Sequence, residues 1–411
     1  MLPMKYIVDV QDLWPEAFCM AIKNKWLQKL FYPMELYINS AYSKADCVIA
    51  VSKTYVNRVL SVNRKVREGI CVYLGNNGQL FDEGRDRYKI QRNDDEIWIG
   101  YVGSMGDSYD IGCVIDAIDF LQKEQRCKQD IRFVLCGDGE KRHLFEEQAK
   151  SKNVNADFLG QKPYLEMAGI LSSCDIVINP IVKGSAASII NKVGDYALSG
   201  LPVINTQECQ EYRALVEEYN CGINCKCGDS TDVAKAIETL SCDKKLRLEM
   251  GVNARRLGGE RFDRRTTYNL LADAVEVNCG NKEEIVIVAN FASSLDGKAN
   301  GRFTYLAEIL ASRGRKVEII TSDFKHFEKK HGNKVTGNYK SKITLIHEPG
   351  YIKNISLKRL YSHWIWGYNV YKYLKSKKNK PGCIYCAVPS LTVNVLVSKY
   401  CNAFKKRCKK S

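Results

Sequence analysis

Short uninterrupted runs of β-branched and aliphatic residues alternate with longer stretches whose apolar positions recur every three to four residues, almost from end to end. Apolar runs of that kind suit strands buried on both faces, and the helical stretches between them suit the crossovers of parallel sheets. Tyr6–Val10 predicts a strand that ends in the polar turn Gln11-Asp12-Leu13-Trp14-Pro15-Glu16. A helical pattern follows from about Ala17 to Ala45, broken or kinked at Pro33, whose ring removes a backbone donor. Next come a strand at Cys47–Val51 and a helix around Lys53–Leu60 with Ser52 as its cap.

The middle of the chain is patterned most clearly. Strand Ile97–Val102 leads through Gly103-Ser104-Met105-Gly106-Asp107-Ser108-Tyr109 to helix Ile111–Glu124. Strand Arg132–Cys136 leads through Gly137-Asp138-Gly139 to helix Glu140–Ser151. A short strand at Asp157–Leu159, helix Tyr164–Ser173, strand Ile176–Pro180, helix Ile190–Ser199 and strand Pro202–Asn205 complete the alternation. Helices are expected from Thr231 to about Val277. The pattern then restarts with strand Glu284–Asn290, loop Ser293–Asn300, helix Gly301–Ser312 and strand Lys316–Thr321. Strand Ile343–His347, helix Leu357–Leu374, strand Cys383–Ala387 and helix Leu391–Lys405 follow. The expected class is α/β with two Rossmann-like, doubly wound domains.

Length and composition narrow this further. A chain of 411 residues is too long for one ordinary core and suits two domains. With 45% hydrophobic and 27% charged residues and no apolar run of about 18, a membrane-spanning chain is not expected. The N-terminal residues lack the features of a secretory signal. The 17 cysteines are odd in number and scattered through strands and helices, which favours a reducing cytoplasm. Cys221, Cys225 and Cys227 lie close in sequence, but no histidine is near and the Cys-x-x-Cys spacing is absent. Alternation of Cys225 and Cys227 along a strand explains them more simply than zinc. The net charge of +15 points to an anionic partner, with part of the excess in the runs Lys375–Lys380 and Lys405–Lys410. No nucleic-acid module signature is present.

Three strand-to-helix loops carry candidate chemistry, because ligands of such folds bind outside the carboxyl ends of strands, against helix N-termini. In the first, Gly103 and Gly106 would let backbone approach a phosphate; a tight turn needing glycine for shape is the plain alternative. In the second, amides around Ser188, Ile189 and Asn191 would hold a diphosphate, with Lys192 at the helix start. Asp195 would accept hydrogen bonds from a ribose diol. Compensation of the helix dipole by Asp195, about 0.3–1 kcal/mol, is its alternative. In the third, Gly297, Lys298, Gly301 and Arg302 stand at the mouth of a helix, where Arg302 and Lys298 would pair with phosphate oxygens; solvated surface cations would look the same.

Taken together, these runs resemble glycosyltransferase family 4, retaining enzymes of two-domain GT-B architecture. The most specific part is Asn191-Lys192-Val193-Gly194-Asp195-Tyr196 through Gly200-Leu201-Pro202-Val203-Ile204, similar to that family's donor-binding helix and next strand. Tyr101-Val102-Gly103-Ser104, Leu135-Cys136-Gly137-Asp138-Gly139 and Asp9-Val10-Gln11-Asp12-Leu13-Trp14-Pro15-Glu16 are also similar. The resemblance is strongest to members that build capsule, O-antigen and exopolysaccharide chains. The order of parts differs. Residues 284–411 resemble the front of the family's first, acceptor-side domain, residues 1–75 resemble its rear, and the donor domain, 76–278, stands between them. A circular permutant would account for this, as would remnants of two neighbouring transferases fused out of register. The second alternative would be an inactive binding or assembly subunit.

The resemblance implies transfer of a sugar from a nucleotide-diphosphate sugar, itself a substrate and not a cofactor, to a lipid-linked or oligosaccharide acceptor. No metal is implied, and the chain has no Asp-x-Asp motif. The implied donor-site residues are Gly103, Ser104, Gly106, Gly137, Ser188, Ile189, Asn191, Asp195, Gly297 and Gly301. Asp12, Arg302 and Lys192 are the implied catalytic-site groups, the cations stabilising charge on the leaving diphosphate. Ala187 stands where the family often has an acid seven residues before Asp195, Ser104 where a basic residue is common, and Gln11 where many members have histidine. A nucleotide-sugar epimerase or dehydrogenase would need a Gly-x-Gly-x-x-Gly turn, which neither Phe291–Gly297 nor Gly103–Tyr109 supplies. The basic, aromatic stretch Phe18–Tyr42 suits either ordinary helix packing or an anionic membrane surface, at the inner face of which the protein would be peripheral. For Trp364, Trp366 and Tyr368 buried helix packing is expected.

Overall fold

The computed structural model describes residues 4–16, 29–92, 95–185, 188–280, 284–292, 295, 301–332, 334–354, 356–388 and 390–408. Ala187, Gly297, Lys298 and the first part of the Phe18–Tyr42 stretch lie outside them. The strands are β1 (Lys5–Val10), β2 (Cys47–Ala50), β3 (Ile70–Cys71), β4 (Glu96–Val102), β5 (Asp130–Cys136), β6 (Ala156–Phe158), β7 (Ile176–Asn179) and β8 (Val203–Asn205). They continue with β9 (Gly222–Asn224), β10 (Ile285–Val288), β11 (Val317–Ser322), β12 (Phe324–Lys325), β13 (Lys330–His331), β14 (Lys342–Ile346) and β15 (Cys383–Val388). The chain divides into two units: unit 1 holds Met1–Val72 and Tyr268–Ser411, and unit 2 holds Tyr73–Thr267. The α/β class with two parallel sheets is the class the alternation predicts.

Unit 1 is built on a seven-stranded sheet in the order β14-β11-β10-β15-β1-β2-β3. All its pairings are parallel. Its middle joins the two ends of the sequence: β1 pairs with β15 along its whole length, Lys5 opposite Cys383 through Val10 opposite Val388. Period-two alternation decides which face each side chain serves. Tyr6, Val8 and Val10 share one core with Val286, Val288, Ile384, Cys386 and Val388, covered by the helices Tyr32–Tyr42, Leu357–Ser376 and Leu391–Cys408. Ile7, Ile285, Ile287, Cys383 and Tyr385 face the other core. Tyr268, Leu271 and Val275 of helix Arg264–Asn278 fill it together with Phe303, Leu306 and Leu310 of helix Arg302–Ser312. Burial of each such side chain contributes about 1.5–3 kcal/mol, so a sheet covered on both faces fixes the β1–β15 register strongly. Cys279 and Cys383 are joined in a disulfide, Cα to Cα 5.5 Å, a tie that cysteine spacing alone does not single out.

Unit 2 has a six-stranded parallel sheet in the order β6-β5-β4-β7-β8-β9. Ile97, Ile99, Tyr101, Phe133, Leu135, Ile176, Ile178 and Ile204 centre its core. The chain runs outward from β4 to β6, then returns to β7 on the other side of β4. This reversal makes the carboxyl ends of β4 and β7 the place where two adjacent loops diverge and leave a crevice. The region expected to be helical after Thr231 is helix Ser230–Cys242, helix Lys244–Leu257, a π-turn Gly258–Phe262 and helix Arg264–Asn278. Helices Gly78–Tyr88 and Gln210–Tyr219 and the hairpin β12–β13 were not expected from the pattern.

Two expectations change in the folded chain. Trp366 is fully buried, but Trp364 and Tyr368 are half exposed, because the helix turns only one face to the sheet. Cys225 and Cys227 lie beyond β9, not within a strand; their thiols donate to the carbonyls of Asp232 and Ile181. Among the described residues no helix is long and apolar enough to cross a membrane.

Candidate functional site

The crevice of unit 2 lies between the loop after β4 and the loop after β7, which touch through a bridge between Tyr109 and Ile181. Gly103 and Gly137 have φ of 140° and 148°, a region that side-chain-bearing residues rarely adopt. A Cβ on Gly137 would stand 1.8 Å from the carbonyl oxygen of Gly103, so these two loops pack backbone on backbone. The Gly103 amide donates to Cys136 O, the Met105 amide to Asp138 O and the Gly137 amide to Gly160 O. The amides of Gly103 and Gly137 are therefore engaged within the protein, and what these glycines supply is close approach. Helix Ile111–Lys123 is capped by the carboxylate of Asp110, which accepts from the Cys113 amide. That places negative charge where the Gly106–Ile111 segment was expected to receive a phosphate.

Helix Lys192–Ser199 begins differently. Asn191 stands at its cap with no side-chain bond to the first turn, and the amides of Val193 and Gly194 donate to the carbonyls of Ile190 and Asn191. Lys192, the first helical residue, places Nζ 4.2 Å from the ring centroid of Tyr101 and 3.9 Å from that of Tyr109. The same Nζ would lie 2.8 Å from a Cβ on Gly103, so glycine there makes room for the ammonium. Among the described residues no hydrogen-bond acceptor reaches it. Two phenol faces offset part of the lost hydration, yet burial still holds its pKa well below the ordinary lysine value. A buried ammonium with no carboxylate partner among the described residues, at a helix start and beside a glycine loop, has the chemistry to pair with an anion.

Asp195, one turn further on, is buried. Its Oδ1 accepts from the Tyr164 hydroxyl at 2.7 Å. Burial pushes its pKa up to about 6, opposed by hydrogen bonds from Tyr164 and Asn76 and by the charge of Arg264. Its carboxylate is thus held by neighbours inside the unit, where a ribose diol had been expected. The loop before the helix is anchored from below by a polar network at the ends of β7, β8 and β9. Asn179 donates to Asn205 Oδ1 at 3.0 Å, Asn205 to Asn224 Oδ1 at 2.8 Å, and Gln207 to the Ser188 carbonyl at 2.7 Å. Ile189 is partly exposed beside Ser188, and Ser104 and Asn191 are exposed. The roles of Tyr101, Tyr109, Tyr164, Asn76 and this network are not legible in the local sequence pattern. The one available signal was asparagine recurring at the carboxyl end of a strand.

Arg302 departs from its expected part as a phosphate-binding cation. Its side chain is 3% exposed and that of Asp9 0%, and the two form a two-pronged ion pair, Nε to Oδ2 2.8 Å and Nη2 to Oδ1 3.0 Å. Nη1 donates to the Val72 carbonyl at 3.0 Å. Asp9 lies on β1 and Val72 follows β3, so Arg302 ties the C-terminal part of unit 1 to its N-terminal part. Its physical task here is architectural. Gly301 serves the same helix: its amide donates to Thr304 Oγ1 at 3.2 Å. Asp12 is exposed beyond β1, but surrounding atoms raise its carboxyl pKa while Arg359 opposes that shift. Arg359 packs over Trp14 at 4.7 Å and near Tyr351 at 5.4 Å. Beside them buried His363 lies 3.8 Å from Glu348. Burial and the nearby Arg359 and His326 hold His363 down to about 3. This aromatic and polar cluster gathers at the carboxyl ends of the unit 1 strands.

Residues 82–257, most of unit 2, match the family described as Glycosyl transferases group 1. A protein of Bacillus subtilis named as a glycosyltransferase, EpsD, is 25% identical over 62% of this chain and 66% of its own length. A second relative, from Campylobacter jejuni, is 24% identical over 38% of this chain and 41% of its own. Its name makes it an alpha-1,4-N-acetyl-D-galactosaminyltransferase whose substrate is built on PP-undecaprenol. The chain therefore spans less than two thirds of the length of each. Among solved structures, Anabaena Alr3699/HepE in complex with UDP superposes with a TM-score of 0.52 at 17% identity, covering 66% of this chain and 72% of that one. Sucrose-phosphate synthase from Thermosynechococcus elongatus gives 0.51 at 18% identity, covering 65% and 66%. These neighbours share the fold, that of GT-B glycosyltransferases.

Proposed function

We propose that this chain is a retaining glycosyltransferase of family 4 type. It would move a sugar from a nucleotide-diphosphate sugar to an acceptor hydroxyl in cell-surface polysaccharide synthesis, without a metal in the reaction. The observation that carries this reading is Lys192, a buried ammonium with no acceptor among the described residues, at the uncapped start of helix Lys192–Ser199. A nucleoside diphosphate would supply the missing counter-charge, and Lys192 would then stabilise the charge that grows on the leaving phosphates. Unit 2 is read as the donor domain, with Ser188, Ile189, Asn191 and the Gly103–Gly106 loop around the diphosphate. Unit 1 is read as the acceptor side, its order explained by circular permutation, since β1 and β15 lie side by side in one sheet. UDP in the Anabaena complex and the lipid-linked substrate in the Campylobacter name support a nucleotide-sugar donor and a lipid-linked acceptor.

Attachment to the inner face of an anionic membrane is part of the same reading. Leu357, Tyr361, Trp364 and Tyr368 form an exposed stripe at helical spacing, with Lys358 and Lys372 on the same helix. The test is thermal unfolding of the chain with UDP or GDP, followed by assay of donor hydrolysis and transfer. A rise in melting temperature with one nucleotide, lost in Lys192→Ala, supports donor binding. If neither nucleotide raises the melting temperature and no transfer is measured, the chain is instead a binding or assembly subunit built from transferase parts.

A further inference from the structure

Outside the donor loops, three side chains from three separate segments of unit 1 converge on one point. Asp323 directly follows β11, His331 ends β13, and His347 directly follows β14. We propose that Asp323, His331 and His347 bind one divalent transition-metal ion of the zinc class. One ligand atom from each lies within 4.8 Å of the other two. His347 Nδ1 is 2.9 Å and His331 Nδ1 3.6 Å from the two oxygens of the same carboxylate.

The surroundings hold these atoms in place. Asp323 Oδ1 accepts from the Glu348 amide at 2.9 Å, and the Asp323 amide donates to Ile346 O. The two imidazole rings stack with centroids 5.5 Å apart and planes 17° apart, while Phe324 packs edge-on against His331 at 5.3 Å. His331 Nε2 lies 3.2 Å from the carbonyl oxygen of Pro349. A carbonyl only accepts, so in the neutral ring Nε2 carries the proton and Nδ1 is left with a lone pair. That lone pair faces a carboxylate oxygen, which also only accepts. Either a proton on that nitrogen or a metal cation between the two satisfies both acceptors, and the convergence of a third ligand atom, His347 Nδ1, on the same carboxylate suits the metal. A carbonyl behind the second ring nitrogen is also the outer support that metal-bound histidines commonly have.

Two imidazole nitrogens and one carboxylate oxygen select zinc or its late transition-metal neighbours over magnesium and calcium, which take oxygen ligands. All three side chains keep solvent-exposed surface, so the ion would retain at least one water. Bound there, it would clip the hairpin β12–β13 to the carboxyl ends of β11 and β14. This inference does not rest on the transfer reading.

The experiment uses the full chain, stripped with chelator and without added thiol so that the Cys279–Cys383 disulfide is kept, titrated with zinc by calorimetry and with cobalt by absorption spectroscopy. One equivalent of zinc should bind, and cobalt should give visible bands without the intense near-ultraviolet absorption of thiolate ligands. His331→Gln and His347→Gln should each weaken binding at least about tenfold, and the rise in melting temperature that zinc gives the parent should vanish in both. Asp323→Asn, which keeps the side-chain size, reads the same site should either histidine variant melt abnormally in chelator. Unchanged affinity in the variants, thiolate bands with cobalt, or no zinc uptake by the parent would each overturn the assignment.

Discussion

Replacing Arg302 by methionine separates the two tasks that can be asked of this residue. In the folded chain the substitution leaves Asp9 anionic in a site that is 0% exposed, with Gln11 Nε2 at 3.3 Å and the buried Tyr385 hydroxyl as nearby donors. Removing one partner of a buried ion pair costs about 3–5 kcal/mol, and the Val72 carbonyl loses a donor as well, a loss of about 1 kcal/mol. Against a total stability of about 5–15 kcal/mol, that is about a quarter or more of the whole. The double variant Asp9→Leu with Arg302→Met should be markedly more stable than the sum of the single losses implies, because no charge is left stranded. Urea unfolding followed by circular dichroism and by fluorescence of Trp14 and Trp366 reads unit 1. An Arg302→Met chain as stable as the parent, but unable to bind nucleotide, would refute the architectural reading and restore Arg302 as a ligand-binding cation.

Lys192→Ala should abolish stabilisation by nucleoside diphosphate with less than about 1 kcal/mol change in ligand-free stability, since no hydrogen bond is lost. In the parent, a lysine pKa held down by burial rises when a phosphate arrives, so binding should take up a proton and weaken as pH rises; calorimetry in buffers of different ionisation enthalpy measures this. Asp195, at about 6 against an ordinary 3.8, contributes stability that is fully present below 3.8 and lost as pH rises through about 6. Asp195→Asn should therefore match the parent near pH 4 and exceed it by up to about 3 kcal/mol at pH 8 in urea unfolding. Gly137→Ala drives a methyl group into the Gly103 carbonyl and should cost about 2–4 kcal/mol, visible as a lower melting temperature. Trp364→Ser with Tyr368→Ser should reduce sedimentation with anionic vesicles while leaving the melting temperature within a few degrees; equal sedimentation would remove the membrane reading.

Much of the strand and helix order was legible before folding, because strands buried on both faces must be short apolar runs and their crossovers must be amphipathic. The loop between β7 and helix Lys192–Ser199 could be singled out for the same reason, since glycine, small residues and a lysine at a helix start are local features. What the sequence could not settle was how each polar group is used. Lys192 and Arg302 are both cations at the first position of a helix, and local pattern gives them the same role. Only long-range packing separates them: Arg302 meets Asp9, 293 positions away in sequence, and is neutralised, whereas Lys192 meets two tyrosine faces and no acceptor among the described residues. The same holds for Asp195, whose partner Tyr164 comes from another helix, and for Asp323, His331 and His347, which only β11, the hairpin and β14 bring together. Periodicity is a property of neighbours in sequence and survives in the bare chain. Charge, hydration and protonation depend on neighbours in space, and those exist only once each unit has folded.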